Sequence, residues 1–256
     1  MKLYQCLLTE SDCYKSGRTM KPKGIMVHST GANNPKLSRY VAPDDGRLGK
    51  PSSNHWNQSG VRACVHAFIG KLADGSAAIY QTLPWTMRGW HAGGEANNSY
   101  ISFEICEDDL KDERYFKAVY RQAVELTAFL CGVFSLDPLA DGVVICHAEG
   151  HQRGIASNHM DVEHWFPRFG KTMDDFRRDV ARSMEEEHIL TYEQWVAYFE
   201  RYRQELAEKT AVMEAAFQDA KSLGVTDGSR PRDLASREEC AVMVRNALLN
   251  RDSDRT

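Results

Sequence analysis

The sequence predicts an α/β domain with a mixed central β-sheet flanked by helices, followed by a small all-α C-terminal region. Three observations carry that reading. Short apolar runs of strand length, separated by turn residues, recur along residues 1–180. Among them, Phe116, Val119, Ala123, Leu126 and Leu130 fall three or four apart, the period of a helix with one apolar face. After "SMEEEH" the composition shifts to amphipathic helical patterns.

The elements follow in order. Strands are expected over Ile25–Val27, Cys64–Ile69, Ala77–Gln81, Ile101–Ile105 and Val143–Cys146. "KLADG" running into "DGSAAIYQ" marks a hairpin with its turn near Asp74-Gly75. Helices are expected over Phe116–Phe134 and Asp174–Met184. The domain boundary is placed near 185, dividing 1–184 from 185–256. Beyond it, Trp195, Phe199, Tyr202 and Leu206 form one stripe over about 191–208, and Thr191 with Gln194 fits a capping box. A helix over about 213–223 stops at Gly224, "GVTDGSRP" turns, and "SREECAVMVRNALL" is a last helix with Ser236 and Glu239 as its capping box.

Composition removes several function classes. A chain of 256 residues has room for one sizeable domain and an appendage. Net charge is −4 with a pI near 6.1, which gives no bulk-charge case for binding nucleic acid. No apolar run reaches 18 residues, so no membrane span is expected. Residues 1–17, "MKLYQCLLTESDCYKSG", lack a long h-region and cleavage site, so synthesis in the cytoplasm without a signal peptide is expected. The seven cysteines are scattered and contain no CxxC. That pattern predicts reduced, buried thiols rather than a disulfide framework, and argues against a four-cysteine zinc site.

The chemistry sits in the histidines. In "KGIMVHSTG" an apolar strand ends in His28, and Ser29, Thr30 and Gly31 turn the chain. In "VVICHAEGHQRGIASNHMDVEHWFP" a second strand delivers His147 at its end. Two adjacent strand ends can bring two imidazoles to one point. Catalytic zinc needs three protein ligands and an open position for water. Asp161, on a loop returning toward the strand end, is the best third ligand. His159, two places earlier on an extended loop, shares its side. The ordinary alternatives are an N-cap aspartate and a solvated histidine. A local competitor is His147 with His151, spaced as in the HExxH helix. Its acid, Glu149, stands two places after the first histidine instead of one, and Gly150 and Gly154 argue against a helix. Cys146 points away from His147 by strand alternation and reads as core. His66 lies in an apolar strand and reads as structural or wall-lining. His91 in "GWHAGG" is a groove-lining candidate, with Gly93 and Gly94 admitting close approach of substrate; a loop histidine packed on Trp90 is the ordinary reading. Asn54 and Trp56 in "SNHWNQ" are candidates for sugar contact, against a surface loop with Trp56 tucked on the core.

Four stretches, "GIMVHSTG", "WHAGG", "SFEICED" and "CHAEGHQRGIASNHMDVEHWFP", occur in an order that resembles the type 2 N-acetylmuramoyl-L-alanine amidases, a family similar in fold to the peptidoglycan recognition proteins. The resemblance covers roughly residues 1–180, and within the family phage and prophage endolysins of Gram-positive hosts match best. It implies a zinc ion held by His28, His147 and Asp161. It implies that Glu104 in "SFEI" is the acidic residue that aligns or deprotonates the zinc water, and that His159 stands where many members carry a lysine that stabilises the oxyanion. Many members also carry a second histidine where this chain has Ser29. A strand-end carboxylate in a salt bridge is the ordinary reading of Glu104.

The implied reaction is hydrolysis of the amide between the lactyl group of N-acetylmuramic acid and L-alanine in peptidoglycan. The rival is a binding module that recognises wall fragments without cutting them. An autolysin or a recycling amidase would share the chemistry. Residues 220–248 resemble one S-layer homology motif, in "GVTDGSRP", "SREE" and the helix with Met243. Wall binding and homodimer formation are the two expectations for that tail. Lack of a signal peptide fits an endolysin made in the host cytoplasm that acts on the wall after release.

Overall fold

Six short strands form one mixed sheet in the computed structural model, which describes residues 1–42, 46–187, 214–226 and 240–247. The chain divides into two compact units, Met1–His188 and Ile189–Thr256. In the first, the elements run β1 (Leu3–Gln5), α1 (Asp12–Lys15), β2 (Gly24–Ser29), β3 (Ala67–Lys71), β4 (Ala77–Gln81), β5 (Tyr100–Ile105), α2 (Glu113–Phe134), β6 (Val144–Cys146), α3 (His147–Gln152) and α4 (Met173–Glu187).

The spatial order is β1-β4-β3-β5-β2-β6. Only the β3–β4 hairpin is antiparallel, and its turn is at Asp74-Gly75 as expected, with Gly75 at φ 84° and the Asp74 carboxylate accepting from the Ser76 N–H. β2 lies between β5 and β6 and runs parallel to both. All six of its residues are buried, which is why its first part, Ile25–Val27, is apolar without alternation. Ile25 and Val27 face α2 and pack with Phe103, Ile105, Val144 and Cys146 in the main core. Met26 faces the other way, onto Ala92, Ala96 and Ile145.

α2 is the helix that the periodicity predicts. Phe116, Val119, Ala123, Leu126 and Leu130 are all buried against the sheet. It begins at Glu113, earlier than the apolar pattern shows, because Asp112 caps it by accepting from the N–H groups of Arg114 and Tyr115.

Four expectations need correction. β1 has no strand signal, because three residues are too few to show a period; it forms by pairing with β4. Cys64 is not in β3 but makes an isolated bridge with Trp90. Cys13 and Cys64 form a disulfide across 51 residues, while Cys6, Cys106, Cys131, Cys146 and Cys240 are free. Count and spacing could not reveal that α1 and the Cys64 segment meet. Residues 147–152 are helical despite Gly150, where a Cβ would lie 2.7 Å from Met26 Cε and 3.1 Å from Ala156 Cβ, so the glycine eases the close packing of α3 on β2.

In the second unit, α5 (Glu214–Ser222) ends at Gly224, which adopts φ 67° and donates to the Lys221 carbonyl. Residues 240–247 form a helix. The stripe over 191–208 with its Thr191–Gln194 box, His188, the Ser236–Glu239 box and most of the "GVTDGSRP" turn lie outside the described residues.

Candidate metal centre and active site

Parallel strands end at the same sheet edge, and that places the site. The carboxyl ends of β2, β5 and β6 carry His28, Glu104 and, one residue past β6, His147. His28 and Glu104 are direct register partners. They share the face of Met26, opposite α2, while Cys146 lies in the core as alternation predicts.

Asp161 completes the group from the loop after α3. His28 Nδ1 lies 3.0 Å from Asp161 Oδ2 and 3.1 Å from His147 Nδ1, and His147 Nδ1 lies 3.6 Å from Asp161 Oδ1. All three residues are buried, and one ligand atom from each falls within 4.8 Å of the others. Tetrahedral zinc with bonds of about 2.0–2.1 Å separates neighbouring ligand atoms by about 3.3 Å. The donor set fits such an ion.

The outer nitrogens support the same fit. Ser157 Oγ donates to the Ala92 carbonyl and so accepts from His147 Nε2 at 3.2 Å, which leaves His147 Nδ1 bare. A lone pair on His28 Nδ1 needs its proton on Nε2, where His91 Nδ1 accepts at 2.9 Å. His91 is held by its own backbone: its N–H and that of Ala92 donate to Asn97 Oδ1. Sequence reasoning singled out His91 as a groove residue and missed this bond, because the partner is 63 residues away. Nothing in the sequence signals Ser157.

Electrostatics divide the groups by role. Burial and the neighbouring His28 push His147 down to about 4, so its imidazole is neutral, the form that ligates. Burial raises the Asp161 carboxyl, but the adjacent His28 ring outweighs it and holds the group below the usual carboxylate range. Glu104 goes the other way. Burial, then the charges of Asp161 and Glu107, push it well above its ordinary value, and its Oε2 is buried without a hydrogen-bond partner. A buried, unpaired carboxylate oxygen beside a ligand cluster is costly to fold and is a mark of function.

An open cleft of about 500 Å³ adjoins the group, between Ser29–Gly31 and the Asn158–Asp161 loop, with His164 on its wall. The exposed His159 lines it and stacks on His147 at 4.7 Å between centroids.

The family model for N-acetylmuramoyl-L-alanine amidase matches residues 18–164, more than half of the chain. The chain belongs to the N-acetylmuramoyl-L-alanine amidase family. Staphylococcus aureus hydrolase AmiA has a similar solved fold, at 18% identity over 72% of this chain and 83% of that chain, with a TM-score of 0.52. Other similar structures are the PlyG catalytic domain (23% identity, 72% of this chain, 96% of that chain, TM-score 0.47) and a mutant endolysin from Bacillus subtilis (22%, 70%, 99%, 0.44). No curated protein sequence matches the chain.

The amidase fold does not bring every candidate to the cleft. Trp56 packs edge-on against Tyr40 and Phe68, so its ring is spent on the core. Asn54 accepts from Ser52 Oγ and its carbonyl from Arg39, away from the cleft-lining residues. Gly93 is needed for the chain itself: at φ 64° a Cβ would come within 3.0 Å of Ser157 Oγ. Gly94 likewise admits the Ile155 carbonyl, not substrate. His66 is structural, donating to the Met87 carbonyl and accepting from Ser102. His151 is exposed with Nδ1 toward the Ala156 carbonyl, and Glu149 pairs with Arg177, so the HExxH-like competitor fails on geometry. A further pair that sequence reading missed is His164 with Glu107, 2.9 Å apart.

Proposed function

We propose that the chain is a zinc-dependent N-acetylmuramoyl-L-alanine amidase that cuts the bond between N-acetylmuramic acid and L-alanine in intact walls, as an endolysin does. The observation that carries this reading is the buried His28–His147–Asp161 group next to the unpaired Glu104.

His28 and His147 through Nδ1, and Asp161 through its carboxylate, would hold the ion. Zinc there supplies a Lewis acid that polarises the amide carbonyl and lowers the pKa of a water. Glu104 takes the water's proton and passes it to the departing amine; its raised pKa suits both halves of that transfer. His159, at the cleft wall, donates an N–H to the oxygen that gains charge. His91 and Ser157 keep the two ligand rings turned the right way. The residues beyond 188 are proposed to hold the enzyme to a wall polymer.

The test is mass spectrometry of fragments released from purified Gram-positive walls, with and without a zinc chelator. New L-alanine amino termini with intact glycan, lost on chelation, are the expected result. Reducing sugars or internal peptide cuts would place the reaction at another bond. Retention on walls without cutting would leave a recognition module. For the tail, a chain ending at 187 is expected to pellet with walls less than the full chain. Equal pelleting refutes wall anchoring, and a change in mass by light scattering would indicate dimerisation instead.

A further inference from the structure

We propose that the Glu107–His164 pair is a positioning device that fixes the Asp161 loop against the sheet edge for metal binding. The inference rests on the zinc reading above. Asp161 is carried by residues 158–164, of which Asn158, His159, Met160 and Glu163 are exposed. One side of this loop is anchored to α3, where the Asp161 carbonyl accepts from the Ala148 N–H at 3.2 Å, next to His147. The other side winds round one carbonyl. Met160 O accepts from the His164 backbone N–H at 3.3 Å and faces His164 Nδ1 at 3.4 Å.

His164 then reaches across to the sheet, with Nε2 2.9 Å from Glu107 Oε1. The Glu107 side chain is 4% exposed and that of His164 32%, so the carboxylate is the buried partner and depends on this bond. Glu107 is tied in turn to the end of β2, because its N–H donates to Thr30 Oγ1 at 3.1 Å. One run of contacts therefore joins Thr30, two residues past His28, through Glu107 and His164 to the carbonyl just before Asp161. His164 lines the cleft, yet both of its ring nitrogens face protein oxygens. That points to holding the loop rather than touching substrate.

Zinc affinity of the full chain, measured by competition with a chromophoric chelator, tests the inference. His164→Ala is expected to weaken zinc binding by roughly tenfold, the lower end for loss of an outer-shell partner. His164→Gln, whose amide can still donate to Glu107, is expected to recover most of that loss. At saturating zinc, kcat of His164→Ala should fall with KM little changed. Unchanged affinity in His164→Ala overturns the inference, as does a loss that His164→Gln fails to recover. If the wild-type chain binds no zinc, the metal reading falls with it; wild-type binding alongside an unaffected His164→Ala removes the positioning role alone.

Discussion

His28 turns Nδ1 to Asp161 and His147 and Nε2 to His91, so both edges of its ring are committed. Replacing His91 with Phe removes the acceptor while keeping the volume. Zinc affinity is expected to drop about 10–100-fold, with His91→Gln retaining more of it, as isothermal titration would show. In the proposed mechanism Glu104 contributes chemistry and no ligand atom. Glu104→Gln is expected to cut kcat by about 10²–10⁴-fold while zinc still binds with full stoichiometry. Loss of zinc in that variant would mean the carboxylate is a ligand instead. His66 shows the opposite use of a buried imidazole. Burial lowers it to about 4, against about 6.5 in an unfolded chain. The unfolded state therefore binds the proton first, and stability is lost as pH falls from about 6.5 to 4, by about 3 kcal/mol. Urea midpoints at pH 7 and pH 4.5 check this, with His66→Gln losing less on acidification than wild type.

At the scale of elements, β2 matters most because it is flanked on both sides and ends in His28. It enters the sheet at Gly24, where a Cβ would lie 2.5 Å from the Val143 carbonyl and 2.5 Å from the Tyr100 ring. That carbonyl accepts from the Ile25 N–H. Gly24→Ala is expected to destabilise the domain by about 1–3 kcal/mol through this overpacking, read from denaturant unfolding. α3 teaches a related point. Local propensity at Gly150 speaks against a helix, yet the close approach to Met26 makes glycine the residue that fits. The loop with Asp161 has no regular structure of its own, and its place comes from bonds to α3 and to Glu107.

For the whole molecule, the Cys13–Cys64 bond closes a covalent loop across a separation of 51 residues, tying α1 to the segment that pairs with Trp90, next to His91. Chain-entropy reasoning for a separation of 51 residues gives about 4 kcal/mol. Reduction, or Cys13→Ser, is expected to lower Tm, and a Tm unmoved by reductant would show that the bond adds no stability. No helix among the described residues is long and apolar enough to cross a membrane. The family match ends at residue 164, and the second compact unit starts at 189, so the matched residues and the His28–His147–Asp161 group all lie within the first unit.

The sequence alone determined the α/β class, the hairpin, the buried face of α2 and the three residues, His28, His147 and Asp161, that the fold gathers. Those features are local or periodic: a strand that ends in a histidine, or five apolar residues on one helix face, can be seen in a short window. The tertiary structure decided the rest. Strand order, the short β1, the disulfide and the partners of the ligand rings depend on segments tens of residues apart. The same distance explains the misplaced candidates, since nothing near Trp56 or Gly93 in sequence tells of Phe68 or Ser157. Residue types name the chemistry, but only the parallel alignment of β2, β5 and β6 brings His28, Glu104 and His147 to one edge.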